Sequence, residues 1–276
     1  MTILPEQCFL SSTKTLAVKR LKMKVDAILF DLFNTLVLIE NDDAYYLPSL
    51  RKLHDFLVKN DVRIPFEDFF NAYLKVRDKL YEDSAESLEE PHFNIRVCRT
   101  LQKFGYKLAD SHPIVTGATQ AFSGEFVKYV QLDKDAIYVL RKLHGKYKLG
   151  LISNLSISES ALEILDKFGL SRFFDVVLIS GAINKRKPSH EIFERALKAL
   201  DVKAEKAVFV GDTPQLDIEG PKNVGLKAIL VQRENPVAQS AKSTPLYYRI
   251  PQSKEKVSPD ATIRSLKELL SLVEDC

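Results

Sequence analysis

The sequence predicts an α/β fold: a doubly wound, mostly parallel, Rossmann-like sheet with an α-helical cap inserted after its first strand. Three observations carry that prediction. Short, almost continuously apolar runs rich in β-branched residues stand at 25–30 (interrupted by Asp26), 149–152, 176–179, 207–210 and 228–231, and such runs are strands buried on both faces. Helix-length stretches separate the later runs, and strands alternating with helices build parallel sheets. Between the first two runs lies a long segment with helical spacing and no strand-like alternation, which suits a helical bundle sitting over the core.

The elements follow in order. Residues 1–24 hold Lys14, Lys19, Arg20, Lys22 and Lys24 and no strong period, so they read as a loosely packed arm; Met23 is a second candidate start. The core opens at 25–39. The insertion, taken as 40–131, carries helical patterns at 47–58, 66–81, 94–104 and 115–130. Residues 41–43 and 132–133, where the chain leaves and re-enters the core, are hinge candidates. The core resumes over 132–276. There 134–144 reads as a helix, and 158–168 as a second helix that Gly169 can stop. Ile192, Phe193, Ala196, Leu197 and Leu200 form an apolar stripe at helical spacing. The polar stretch 234–260, with Pro236, Pro245, Pro251 and Pro259, reads as a long loop, and 262–273 as a closing amphipathic helix.

At 276 residues the chain has room for a core and a smaller inserted unit. A net charge of +3 is too small to point to nucleic acid, and no apolar stretch approaches the length that spans a bilayer. The N-terminus lacks a continuous apolar h-region, so no secretory signal is read. Cys8, Cys98 and Cys276 are odd in number and widely spaced, which predicts free thiols in a reducing cytoplasm. His54, His92, His112, His144 and His190 show no metal-ligand pairing and read as surface or packing residues. Oligomeric state leaves no mark in the sequence.

Chemistry-bearing residues gather at the ends of the apolar runs. In open parallel sheets, ligands bind beyond the carboxyl ends of the strands. Asp31 follows the first run; a carboxylate there can attack an electrophile or ligate a hard metal. Ser153 and Asn154 follow the second; their hydroxyl and amide can donate to phosphate oxygens, or simply shape a turn before a helix. Lys187 precedes Pro188, which disfavours helical geometry at the lysine and keeps it on the loop. An ammonium there can neutralise a phosphate and the carboxylate together; Lys185 and Arg186 compete for that role or are merely solvated. Gly211 permits close backbone approach, Asp212 would face the site, and Asp217, near a helix start, can hold a metal-bound water or orient its neighbours. Each motif alone is weak.

Their ordered set resembles the haloacid dehalogenase-like hydrolase superfamily, helical-cap branch, from about Val25 to Val273. Further matches are Lys187-Pro188-Ser189-His190-Glu191-Ile192-Phe193 and the late Ser258-Pro259-Asp260-Ala261-Thr262-Ile263. The resemblance implies Asp31 as nucleophile, Thr35 as a supporting hydrogen-bond donor, Ser153 as a phosphate ligand and Lys187 as the positive anchor. It implies Mg²⁺ held by Asp31, Asp212 and the backbone carbonyl of Phe33, with Asp217 behind. The expected activity is Mg²⁺-dependent hydrolysis of a small anionic phosphorylated metabolite through an aspartyl-phosphate.

One position departs from the pattern. Phosphatases of this family usually carry an aspartate two residues after the nucleophile, as general acid and base; this chain has Phe33. Loss of such a group costs roughly 10²–10⁴-fold, so substrates with good leaving groups would suffer least. Phe33 also motivates two rivals: a binding or regulatory protein that kept the metal site without turnover, and a 2-haloacid dehalogenase. Dehalogenases of this family work without metal, whereas Asp212 and Asp217 beside Asp31 would repel an attacking anion unless a dication intervened. In the insertion, His92, Arg96 and Arg99 share one helix face. They read as a solvated face paired with Glu86, Glu89 and Glu90, the sharper reading being a basic wall that recognises an anionic substrate.

Overall fold

The computed structural model describes residues 22–39, 42–233 and 257–273. Strand β1 (Ala27–Phe30) lies at the centre of a six-stranded parallel sheet. On one side it pairs with β4 (Lys148–Ser153), which pairs with β5 (Val176–Ile179). On the other side come β6 (Ala207–Gly211), β7 (Lys227–Val231) and β8 (Ala261–Ile263). The order β5-β4-β1-β6-β7-β8 reverses direction at β1, and the crevice at such a switch point is where open α/β sheets bind ligands.

The continuous apolar runs are explained by burial on both faces. Along β1, Ala27 and Leu29 point to one layer, with α8 (His190–Leu200) and its Ile192, Phe193 and Ala196. Ile28 and Phe30 point to the other, with α5 (Ala136–Leu143), α6 (Ser158–Lys167) and the chain end at α10 (Leu269–Leu272). Alternate side chains of a strand face opposite ways, so a strand between two helix layers is apolar at every position. As expected, Gly169 ends α6 with a left-handed φ of +63°, a conformation glycine adopts without steric cost.

The insertion holds four helices: α1 (Asp42–Lys59), α2 (Phe66–Asp83), α3 (Phe93–Gln102) and α4 (Pro113–Phe126). Their inner faces, including Leu53, Phe69, Phe93, Val97 and Phe122, join the same apolar core as Ile28 and Phe30. Three expectations are corrected. The segment is not free of strands at its borders: β2 (Val37–Ile39) and β3 (Val130–Leu132) pair antiparallel where the chain leaves and returns. The helical reading of 115–130 therefore stops at Phe126, and a 3₁₀ turn over Val127–Tyr129 leads into β3. Asp42 and Asp43 open α1 and Asn41 lies outside the described residues, so the crossing is a ribbon. The closing helix read over 262–273 is instead β8, a 3₁₀ turn over Leu266–Glu268 and the single turn of α10.

The arm reading also ends earlier. Residues 1–21 lie outside the described set, but the Met23 N–H donates to the Leu272 carbonyl at 2.6 Å and Val25 is fully buried. Most of 234–260 and both Cys8 and Cys276 are likewise outside the described residues; Cys98 is a buried free thiol donating to the Leu108 carbonyl. No described helix is long and apolar enough to cross a membrane.

Candidate active site

The loop after β1 delivers Asp31 to the crevice. Its N–H donates to the Val210 carbonyl of β6 at 2.9 Å, so the sheet ladder runs up to the carboxylate itself. Asn34 takes a left-handed φ of 55°, which asparagine tolerates better than most residues. Arg233 clamps the turn, donating to the Asn34 and Thr35 carbonyls at 3.2 and 2.8 Å and pairing with Asp133 at 2.9 Å.

Lys187, 1% exposed, reaches the same point from the loop before α8. Its Nζ lies 2.7 Å from Asp31 Oδ1 and 2.6 Å from Asp217 Oδ1. Asn154 holds the lysine's backbone: its Oδ1 accepts from the Lys187 N–H at 2.8 Å and its Nδ2 donates to the Lys187 carbonyl at 3.0 Å. An asparagine expected to meet phosphate thus spends its amide on positioning the ammonium.

Beyond β6, Asp217 sits in a π-helical turn (Pro214–Glu219) that runs on into α9 (Gly220–Asn223), with its second oxygen accepting from the Thr213 N–H at 2.9 Å. π turns recur at functional sites. A β-carbon on Gly211 would fall 2.5 Å from the Asp217 carboxylate oxygen, so glycine is what lets the carboxylate tuck against the strand end. Asp31, Asp212 and Asp217 each offer an oxygen, all within 4.8 Å of one another.

The electrostatics follow from burial and crowding. Burial first, and the Asp217 charge second, push the Asp31 carboxyl up to about 6 against the pull of Lys187. Burial and the charges of Asp31 and Asp217 raise Asp212 well above the usual carboxylate range. Burial works against the Lys187 ammonium, but Asp217 and Asp31 more than offset it and hold its pKa at about 12. Three carboxylates against this one ammonium leave two negative charges when all are ionised. Hard carboxylate oxygens with that excess fit a hard divalent ion such as Mg²⁺.

These residues floor a cavity of about 140 Å³, the size of a small molecule, whose opposite wall is the helical insertion. Asp31, Phe33, Asn154, Lys187, Asp212 and Asp217 all line it. Ser153 and Thr35 do not; both are fully buried, and their hydroxyls have no hydrogen-bond partner. Phe33 packs against Phe126 at 5.9 Å, which in turn meets Tyr45 at 4.8 Å.

The face shared by His92, Arg96 and Arg99 divides. His92 caps α3 by accepting from the Asn94 N–H and touches Glu159 at 3.0 Å. Arg99 is exposed and lines a separate groove away from Asp31. Arg96 is not solvated: it is 6% exposed and lines the cavity. The reason is legible afterwards, since Phe93, Arg96, Val97, Thr100 and Leu101 make the buried stripe of α3. Sequence reasoning missed Tyr81 and Glu90, which also line the cavity. Glu90 stood in an acidic run that looked solvated, yet it is buried and accepts from the Tyr81 hydroxyl at 2.9 Å. Arg186 is buried too, against the loop that follows α2.

The chain is similar to known proteins over most of its length. The chain is 28% identical over 247 residues to a glyceraldehyde 3-phosphate phosphatase of Methanopyrus kandleri, covering 87% of this chain and 97% of that one. A 2-haloacid dehalogenase structure from Pseudomonas syringae pv. Tomato superposes with a TM-score of 0.64 at 21% identity, over 90% of this chain and 98% of that one; at that identity the likeness speaks to fold. A HAD phosphatase structure from Thermococcus onnurineus gives 0.56 at 25% identity, over 88% and 95%. A HAD-hydrolase-like family model matches residues 184–269. The model of the haloacid dehalogenase-like hydrolases matches residues 25–225, and the chain belongs to that family.

Proposed function

We propose that the protein is a Mg²⁺-dependent phosphatase of small phosphorylated molecules, with Asp31 as nucleophile. The observation that carries this reading is the Lys187 ammonium held between Asp31 and Asp217, with Asp212 alongside. Asp31 attacks phosphorus and forms an aspartyl-phosphate, which water then cleaves. Lys187 offsets charge on the transferring group and keeps Asp31 ionised. Asp31, Asp212, Asp217 and the Phe33 carbonyl would hold Mg²⁺, which would supply charge stabilisation to the phosphoryl oxygens. Asn154 positions Lys187 through both of its amide atoms, whereas the Ser153 and Thr35 hydroxyls lie buried behind the cavity lining.

The glyceraldehyde 3-phosphate phosphatase among its relatives favours phosphate chemistry. Burial first, and the Asp217 charge after it, raise the carboxyl that must attack, and this weighs against metal-free carbon–halogen cleavage. Phe33 sits among aromatic rings and has no proton to give, so departure of the leaving group as an anion is favoured. The four helices act as a cap over the reacting atoms.

The test is turnover of p-nitrophenyl phosphate with and without Mg²⁺. The wild type should be active with the metal and lose at least roughly 10³-fold on Asp31→Asn. Aryl phosphates should be cleaved faster than alkyl phosphates. Turnover that survives Asp31→Asn would end the proposal, and no turnover across a broad phosphate panel would favour a binding role.

A further inference from the structure

Arg96 is an unusual buried cation. Its Nη1 and Nη2 donate to the hydroxyls of Tyr73 and Tyr81 at 3.2 and 3.1 Å, and its Nε–H is buried without a partner. The rings of Tyr73, Tyr81 and Phe93 stand 5.8, 5.4 and 5.1 Å from the guanidinium carbon. These partners are neutral, and among the described residues no carboxylate forms an ion pair with it.

The charges nearby do not balance. Glu90 is the buried acid that feels Arg96, through the bridging hydroxyl of Tyr81, and it feels Arg186 as well. Two buried guanidiniums therefore share one carboxylate. Arg77, the other buried arginine of the insertion, is already paired with Asp78 at 2.8 Å. One positive charge is left over, and Arg96 presents it to the cavity that holds Asp31. An unpaired buried charge is costly unless something neutralises it.

Between that charge and the carboxylate floor the walls are aromatic. Phe93 and Phe122 face each other at 4.8 Å, and Phe33, Phe126 and Tyr45 continue the lining. Asn34, Ser156 and Thr213 line the same cavity, so a ligand body here meets several rings together with a few polar groups.

Resting on the phosphatase reading, we infer that Arg96 is the specificity residue of this cavity. It recognises a carboxylate on the leaving group of the substrate, whose body is planar and apolar. The substrate class is a phosphate ester carrying one carboxylate at the end remote from phosphorus. The aromatic lining holds the body, and the leaving group departs as an anion toward a wall of net positive charge.

The experiment compares 4-carboxyphenyl phosphate with 4-carbamoylphenyl phosphate, near-isosteres that differ by one charge. The wild type should prefer the carboxylate in kcat/KM by about 10- to 100-fold, the range of a charge-assisted hydrogen bond, and the preference should reside in KM. In Arg96→Gln the ratio should fall to about one, and Arg96→Lys should keep part of it. In parallel, titration calorimetry measures 4-hydroxybenzoate and 4-hydroxybenzamide binding to the wild-type protein, which needs no turnover and no variant. Tighter binding of the acid by tenfold or more supports the subsite even if the phosphatase reading fails. Equal affinities in the wild type, or an Arg96→Gln protein that keeps the carboxylate preference, would overturn it.

Discussion

At the scale of single residues, the proposed nucleophile Asp31 is also a buried acid whose titration bears on stability. Its carboxyl is raised from an ordinary 3.8 to about 6, chiefly by burial. The folded protein therefore binds this proton more tightly than the unfolded chain does. Its contribution to stability is full below about pH 4 and is lost as pH rises through about 6 in the metal-free state. Two pKa units correspond to roughly 3 kcal/mol at most. Other carboxylates titrate in the same range, so the comparison is wild type against Asp31→Asn in EDTA. The difference in unfolding free energy should shift in favour of the variant between pH 4 and 7, and Mg²⁺ at pH 7.5 should stabilise the wild type more than the variant. Parallel pH curves would show that the buried carboxylate carries no such cost. Asp31, Lys187 and Asp212 were legible in sequence because each follows a strand or precedes a helix in an ordered set. Arg96 and Glu90 were not, because composition makes charged residues look solvated. What buries Arg96 is the stripe of Phe93, Val97 and Leu101 around it, and what buries Glu90 is a tyrosine hydroxyl nine residues earlier in the chain.

At the scale of elements, the sheet was legible and its short accessories were not. Five apolar runs announced β1, β4, β5, β6 and β7, because strands covered on both faces leave no polar alternation to confuse the reading. The three-residue strands β2, β3 and β8 are too short to show any period, and each was read as part of something else. The turn of helix after β5, α7 (Ser180–Ile183), left no signal either, yet it fixes the loop after β4. The Gly181 N–H donates to the Leu155 carbonyl, Ser180 Oγ accepts from the Leu155 N–H, and the Ser156 carbonyl accepts from Phe93 at the start of α3. A β-carbon at Gly181 would fall 2.6 and 2.7 Å from the Ser156 and Leu155 carbonyl oxygens. These are backbone atoms that no side-chain rotation can move aside. Gly181→Ala should therefore cost about 1–3 kcal/mol by overpacking, although alanine is the better helix former by about 1 kcal/mol. A urea midpoint lowered at constant slope is the expected result; an unchanged or higher midpoint would show that α7 has room to move.

At the scale of the molecule, the helical insertion and the sheet share more than a core. The loop that joins α2 to α3 is tied to the segment that carries Lys187. The Arg186 N–H donates to the Leu88 carbonyl at 2.9 Å, its guanidinium donates to the Ser84 hydroxyl and carbonyl at 3.0 and 3.1 Å and to the Glu89 carbonyl, and Lys185 donates to the Ser87 carbonyl at 2.8 Å. Arg186 is 1% exposed and lies against the Tyr81 ring at 5.3 Å. The next residue places its ammonium on Asp31. One side chain thus joins the wall proposed to select the substrate to the lysine proposed to neutralise the transferring group, so motion of one unit should be felt by the other. Arg186→Ala removes the fork and strands buried carbonyl groups, each lost bond costing about 1–3 kcal/mol. Arg186→Lys keeps the charge but not the planar geometry, and should fall between. Hydrogen exchange over residues 84–90 should quicken in both variants, in the order Ala then Lys, with kcat falling in the same order. If kcat fell while exchange in that loop stayed at the wild-type rate, Arg186 would act only through its neighbour Lys187, and the coupling between insertion and core would have to run through the shared apolar packing instead.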